Sequence, residues 1–314
     1  MAQTMITDFF DIAVFIGRFQ PFHQGHMAAC LSALERADRL MILVGSAKTG
    51  TLPKNPWTFT EVSAMIRAAL PQTLNKRVLI HPLLDSLYDN QAWINRVERL
   101  VAQQMPSSKH VALLGYEKDV SSKYLSWFGQ WGRIHVSRFM LPSTGQQLDA
   151  TMLRECLWLD KPIPKDAVAK TTFNKLENYR SSEDCHDLSA AWRWQCDYEA
   201  RFATTFVLTL TCQNQVALLK RQVPLGQGQW ALPCFSSAGE QRNWLAQIGL
   251  NTTDGYTHQQ ASLVLKTVYE NHCIDIESPV VNSSYCWFDT STLTEIDIFA
   301  DHRSLLYQPL SLNF

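Results

Sequence analysis

The sequence predicts an α/β fold: a parallel sheet flanked by helices over about the first 180 residues, then a smaller strand-rich α+β domain. Three observations carry this reading. Short apolar runs alternate with stretches of helical periodicity through the first half. Three of those runs close on a glycine (Gly17, Gly45 and Gly115), where the chain must leave a strand tightly. Beyond Pro162 and Pro164 and the polar stretch Arg180–Asp187, the pattern changes to strands separated by polar turns.

Taken in order, Ile12–Ile16 is the first strand, and Met27, Cys30, Leu31 and Leu34 then recur at helical spacing. Leu40–Val44 is the second strand. A helix is expected from Phe59 to about Leu70, opened by Thr58 and Glu61 at capping-box spacing. Val78–Ile80 is a third strand, Ala92–Gln104 an amphipathic helix, Val111–Leu114 a fourth strand, Ile134–Phe139 a fifth, and Asp149 to about Trp158 a last helix. Such alternation builds a parallel sheet covered on both faces, and ligands of such sheets bind at the carboxyl ends of the strands. We place one domain over 1–180, a linker over 181–198 and a second domain over 199–314. The second is expected to hold a hairpin of Phe202–Leu210 and Val216–Leu219 around Gln213-Asn214, with further strands at Ser262–Tyr269 and Ser284–Phe288.

Composition bounds the function. The 314 residues suit two domains, and 46% hydrophobic residues suffice for two cores. A net charge of −1 without a long basic run argues against a general nucleic-acid surface. The eight cysteines form no C-x-x-C pair and no zinc spacing to histidine, so they read as reduced thiols of a cytoplasmic protein with no metal site of its own. The opening MAQTMITDFFDIAVFIG lacks a basic leader before a long apolar core, and no run approaches the roughly 18 apolar residues of a membrane span. Soluble small-molecule substrates are expected. Homo-oligomerisation stays open.

The densest signal is Gly17-Arg18-Phe19-Gln20-Pro21-Phe22-His23-Gln24-Gly25-His26, between the first strand and the first helix. Gly25 is expected to let the helix start lie close to a ligand. The helix N-terminus is expected to offer free N–H groups and a partial positive charge to phosphate. His23 and His26, three apart, then face one side and can donate hydrogen bonds to a phosphate whose charge grows during transfer. Arg18 fits the same site; a surface salt bridge is its alternative.

This segment resembles the signature of the H-x-G-H nucleotidyltransferases, Rossmann-like enzymes that transfer AMP or CMP from a nucleoside triphosphate. The longer GRFQPFHQGH resembles the archaeal-type nicotinamide mononucleotide (NMN) adenylyltransferases. The whole chain resembles bifunctional proteins that fuse such a domain to a Nudix domain. Three further segments support the resemblance. Lys54-Asn55-Pro56-Trp57-Thr58-Phe59-Thr60-Glu61 is similar to K-N-P-F-T-x-x-E-R, with Val62 where the family has arginine. Gly115-Tyr116-Glu117-Lys118-Asp119-Val120-Ser121-Ser122-Lys123-Tyr124-Leu125 is similar to G-H-x-K-D-x-S-S-x-Y-L, with Tyr116 replacing histidine. Thr151 and Arg154 match S/T-x-x-R at a helix start.

The resemblance implies that ATP and NMN give NAD and pyrophosphate, with Mg²⁺ accompanying ATP. Catalysis would fall to Arg18, His23, His26 and Arg154. ATP would be held by these with Gly17, Phe19, Gly25, Gly115, Lys118, Asp119 and Thr151. Thr151 has a helix N-cap as its alternative, and Lys118 and Asp119 a surface ion pair. NMN would meet Lys54, Asn55, Tyr88 and Trp93, the indole stacking on the pyridinium; a core position is the alternative for Trp93. A different phosphate acceptor, or a nucleotide-sensing regulator without turnover, are the competing readings.

In the second domain, Asn214–Pro233 resembles the entry to a Nudix domain. The family's box, G-x5-E-x7-R-E-x2-E-E-x-G, then places several glutamates on one helix face to hold Mg²⁺. Here only Glu240 follows Gly239, and no acidic residue lies between Glu240 and Gly249. The fold is therefore expected without Nudix hydrolysis. A residual pyrophosphatase would have to recruit other carboxylates, such as Glu270 or Asp289.

Overall fold

The computed structural model describes residues 9–45, 51–84, 90–115, 120–250, 255–261, 265–280, 285–299, 302 and 305–306. The chain falls into two compact units, 1–186 and 187–314.

The first unit runs β1 (Phe10–Gly17), α1 (Gln24–Leu34), β2 (Ala37–Val44), α2 (Phe59–Ala69), β3 (Val78–Pro82), α3 (Asn90–Gln104), β4 (Val111–Gly115), β5 (Gly132–His135), α4 (Ala150–Trp158) and α5 (Lys170–Arg180). Its sheet has the order β3-β2-β1-β4-β5, and every pairing is parallel. β1 and β2 are central, which is why they are apolar on both faces: Ile12, Ala13, Val14, Leu40, Met41, Ile42 and Leu43 are fully buried. Each large aliphatic chain buried this way contributes roughly 1.5–3 kcal/mol. On α1 the small residues Ala29, Cys30 and Ala33 face inward and are buried. The chain steps from β1 outward to β2 and β3, then returns to β4 on the other side of β1. That reversal opens a crevice at the carboxyl ends of β1 and β4, where α/β sheets take their ligands.

The second unit is built on α6 (Glu183–Arg201), β6 (Thr204–Cys212), β7 (Gln215–Lys220), β8 (Trp230–Ala231), β9 (Cys234–Phe235), α7 (Ala238–Gln247), β10 (Tyr256–Ala261), β11 (Val268–Asp275) and β12 (Cys286–Asp289). Its sheet runs β10-β11-β6-β7-β12, with β8 on β7 and β9 on β6; only β11 and β6 are parallel. The β6–β7 hairpin turns where expected, with Gln213 at a positive φ of 52°.

Some elements differ from the sequence reading. β5 stops at His135 rather than Phe139, because β4 ends at Gly115, the partner of His135. Segment 181–198, expected as a linker, lies largely in α6 (Glu183–Arg201), and the division between units falls inside it, after His186. The strand expected at Ser262–Tyr269 starts only at Val268, where its alternation meets β6, while 262–264 lie outside the described residues. The expected strand Ser284–Phe288 is β12, Cys286–Asp289. Among the described residues no helix is long and apolar enough to cross a membrane.

Candidate active site

The loop from β1 to α1 is shaped by its own aromatic residues. Gly17 ends β1, and a Cβ there would lie 3.0 Å from the Phe19 ring. Phe19 itself holds a positive φ of 55°, a costly conformation for a bulky residue. Its buried ring packs edge-on to Phe15 and His26, with centroids 5.0 and 4.9 Å away.

The two histidines close a reciprocal cap on α1. His23 is the N-cap residue, with extended backbone, and its Nδ1 accepts from the N–H groups of Gly25 (3.1 Å) and His26 (3.4 Å). The Nδ1 of His26 accepts in return from the His23 N–H at 3.3 Å. Because both Nδ1 atoms accept, each neutral ring carries its proton on Nε2. The rings stack with centroids 3.6 Å apart at 23°. Burial, then the neighbouring His23, hold the His26 imidazole well below its usual pKa, so it acts as a neutral donor.

This cap corrects the sequence reading of the helix start. Gln24 donates its N–H to Ala167 O (2.8 Å) and Met27 to His23 O (3.0 Å), while those of Gly25 and His26 serve His23. These first-turn N–H groups are thus committed within the protein, and each imidazole keeps its Nε2–H. Gly25 likewise makes room for its own neighbours: a Cβ would sit 3.1 Å from both the His23 ring and Phe139 Cβ.

Arg154 comes from α4. Its helix is capped by Asp149, whose carboxylate accepts from the Met152 N–H at 2.8 Å, so Thr151 is not the N-cap. Instead the Thr151 hydroxyl accepts from Arg154 Nη2 at 3.2 Å, and Arg154 Nη1 donates to Gln20 O at 2.6 Å, across 134 residues of sequence. Burial, then repulsion from Arg18, bring the Arg154 pKa down to about 10. Arg18 donates to Asn55 Oδ1 at 3.4 Å. Two guanidinium groups that repel one another beside a pair of N–H donors make a site for anions.

Sequence reasoning gave Gln20 no role. Its buried amide accepts from the Trp57 N–H (3.0 Å) and donates to Trp57 O (2.7 Å), fastening the 52–57 segment to the β1–α1 loop. This is what brings Asn55 to Arg18. The signal was only the position of Gln20 within the motif. Tyr124 was also given no role; its hydroxyl donates to Ile16 O at 3.2 Å, at the end of β1.

Comparison with known proteins now bears on this geometry. A family described as Cytidylyltransferase-like matches residues 14–85. The nicotinamide/nicotinic acid mononucleotide adenylyltransferase of Acinetobacter baylyi is 34% identical over 186 residues, covering 59% of this chain and 95% of that protein. The chain belongs to the nicotinamide/nicotinic acid mononucleotide adenylyltransferase family. It is a nucleotidyltransferase, which sets aside the pure regulator. The nicotinamide-nucleotide adenylyltransferase of Ignicoccus hospitalis is 44% identical over 91 residues, and the chain spans 53% of its length. A bifunctional NMN adenylyltransferase/ADP ribose pyrophosphatase from Francisella tularensis, solved with AMP and a Mn ion, matches 96% of this chain and 99% of its own at a TM-score of 0.78. At 21% identity that likeness is one of fold, and it extends the match through the Nudix-like second unit.

Within this adenylyltransferase the remaining candidates divide. Lys54 is exposed, while Asn55 is buried. Trp93, in the first turn of α3, is half-buried, edge-on to Tyr124 and Trp127 with centroids 5.9 Å away, and so stands next to the residue tied to Ile16. The space at Gly115 is taken by Leu125, whose Cδ2 would lie 2.9 Å from an added Cβ. Tyr88, Lys118 and Asp119 lie outside the described residues.

In the second unit, Ser237 caps α7 by accepting the Glu240 N–H at 3.2 Å. The Glu240 carboxylate accepts from Ser236 N–H (2.9 Å) and Ser236 Oγ (2.7 Å), which hold its pKa low. Asp289 is similarly engaged, accepting from the Ser291 N–H and hydroxyl at 2.8 and 2.6 Å. Among the described residues no three His, Cys, Asp or Glu side chains gather in a way that would hold a metal ion.

Proposed function

We propose that the first unit catalyses NMN + ATP → NAD + pyrophosphate. The NMN phosphate oxygen attacks the α-phosphorus of ATP in line, a P–O bond forms, and the bond to the β-phosphate breaks as pyrophosphate leaves. The observation that carries this reading is the reciprocal His23–His26 cap, which fixes two neutral Nε2–H donors beside Arg18 and Arg154 at the crevice of the sheet. The attacking group is already an anion, so no nucleophilic side chain is required; positioning and charge stabilisation do the work. His23 and His26 stabilise the transferring phosphate. Arg154, aimed by Gln20 O and Thr151, meets the charge that grows on the leaving pyrophosphate. Gly17, Phe19, Gly25 and Gly115 are assigned to ATP, together with Lys118 and Asp119, which lie outside the described residues. Asn55, Lys54, Tyr88 and Trp93 serve NMN. Mg²⁺ accompanies ATP as counter-ion of its phosphates, since the described residues offer no carboxylate cluster for it.

The Nudix-like unit retains the fold without hydrolysis, because the single carboxylate of α7 is committed to Ser236. Purified full-length protein is expected to convert NMN and ATP to equal amounts of NAD and pyrophosphate. With an α-thio ATP of defined chirality, the α-phosphorus should invert. Retention would show a covalent intermediate and overturn direct attack. No NAD from folded protein would overturn the activity itself. Nicotinate mononucleotide belongs in the same assay, since the A. baylyi relative carries both acceptors in its name.

A further inference from the structure

The second unit encloses a cavity of about 190 Å³ that adenylyl transfer does not use, and its lining residues all belong to that unit. Arg221 decides its chemistry. The side chain lines the cavity yet is 8% exposed. Its Nε donates to Leu225 O at 2.9 Å, and its guanidinium lies 4.1 Å from the centre of the Phe299 ring. Among the described residues no carboxylate forms an ion pair with it. A carbonyl and a ring face offset only part of the cost of burying a cation, so the site favours an incoming anion.

The neighbouring imidazole adds no charge. His302 is fully buried, and its Nδ1 accepts from the Leu232 N–H at 3.1 Å, which leaves the proton on Nε2, 3.3 Å from Cys234 Sγ. Burial, then Arg221, keep this imidazole well below its usual pKa and so neutral. Flat walls complete the cavity: Trp194 and Tyr198, one helical turn apart on α6, stack with centroids 5.0 Å apart at 22°.

One buried positive charge beside aromatic walls suits a ring bearing one negative charge. A carboxylate matches the fork of a guanidinium, and its ring can pack on indole and phenol. A phosphate monoester would bring a second negative charge that no further cation among the described lining residues meets. The volume falls below the roughly 300–1,000 Å³ of sites for drug-sized ligands, which favours a single ring. We propose that this cavity is a metal-independent binding site for a small aromatic carboxylate, held by Arg221 beside the Trp194–Tyr198 wall and next to Cys234.

Cys234 supplies a local reporter. Its sulfur displaces iodide from iodoacetamide, forming a thioether and releasing a proton and iodide, and peptide mass spectrometry gives the rate at that residue. The exposed Cys196 and Cys286 are internal standards in the same sample of full-length protein. Benzoate is expected to slow labelling of Cys234 by about 1 + [L]/Kd, roughly tenfold near saturation, and to leave the standards unchanged. Benzamide, neutral and of the same shape, should protect less than about twofold at the same concentration. Arg221→Gln should lose the protection by benzoate, and phenyl phosphate should protect less than benzoate. No slowing by millimolar benzoate, or equal protection by benzamide, would overturn the proposal. If Arg221→Gln does not fold, the benzoate and benzamide comparison on the wild type decides alone.

Discussion

At the start of α1 and at the start of α7, the N-cap side chain accepts one or more of the helix's own N–H groups, but what remains for a ligand differs. His23 caps α1 through Nδ1 and still carries an N–H on Nε2, because an imidazole has two distinct nitrogens. The carboxylate that follows the α7 cap, Glu240, accepts twice from Ser236 and has no sister carboxylates on its helix. At α1 the cap leaves an N–H on each imidazole, whereas at α7 the helix's one carboxylate is taken up by Ser236, the residue before the cap. One chain thus joins a nucleotidyltransferase unit of the family to a Nudix-like unit whose α7 carries a single carboxylate.

The largest effect that would sharpen this contrast is at Arg154. Arg154→Ala is expected to lower kcat/KM for NAD formation by about 10²–10³, or roughly 3–4 kcal/mol. Arg154→Lys should recover only part of this, since one ammonium cannot span Gln20 O and Thr151 as the guanidinium does. Full activity in the lysine variant would show that charge alone matters. Gln20→Ala comes next. Losing both bonds to Trp57 leaves buried groups unpaired at a cost of about 1–3 kcal/mol, and about tenfold in kcat/KM as Asn55 loses its placement. Urea unfolding and steady-state kinetics on the same preparation separate the two.

Acid should weaken both units by the same physics. His26 and His302 each have a folded pKa held below the ordinary value by burial. Above about pH 6.5 neither state takes up a proton and stability is flat. As pH falls below that, the unfolded chain binds protons that the folded chain refuses, so stability drops, by up to about 1.4 kcal/mol per pH unit for each histidine. Unfolding midpoints between about pH 7.5 and 5 check this; a midpoint that rises on acidification contradicts it. The smallest expected effect is Ser237→Ala, which removes the α7 cap at about 1 kcal/mol and leaves NAD formation unchanged. A loss of NAD formation there would show that the Nudix-like unit contributes to the reaction.

What was legible in the sequence is local. Strands ending on Gly17 and Gly115 and just before Gly45, the Thr58–Glu61 capping box and the H-x-G-H spacing each lie within a few residues, and the structure keeps them. What was hidden depends on rings and on distance. The commitment of the α1 N–H groups to His23 needs the ring orientation, which spacing does not give. The Arg154–Gln20 and Gln20–Trp57 bonds join segments that only the folded sheet brings together. The helix across 183–201 hides among polar residues whose periodicity is weak, and the late start of β11 is set by its register with β6.

The central claim is that the histidine pair stabilises the transferring phosphate. Its most direct test is NAD formation from saturating NMN and ATP by His26→Ala beside wild type. The expected result is a kcat lower by about 10²–10³ with KM values changed only a few-fold, the mark of an interaction made in the transition state. An unchanged kcat in the folded variant would contradict it.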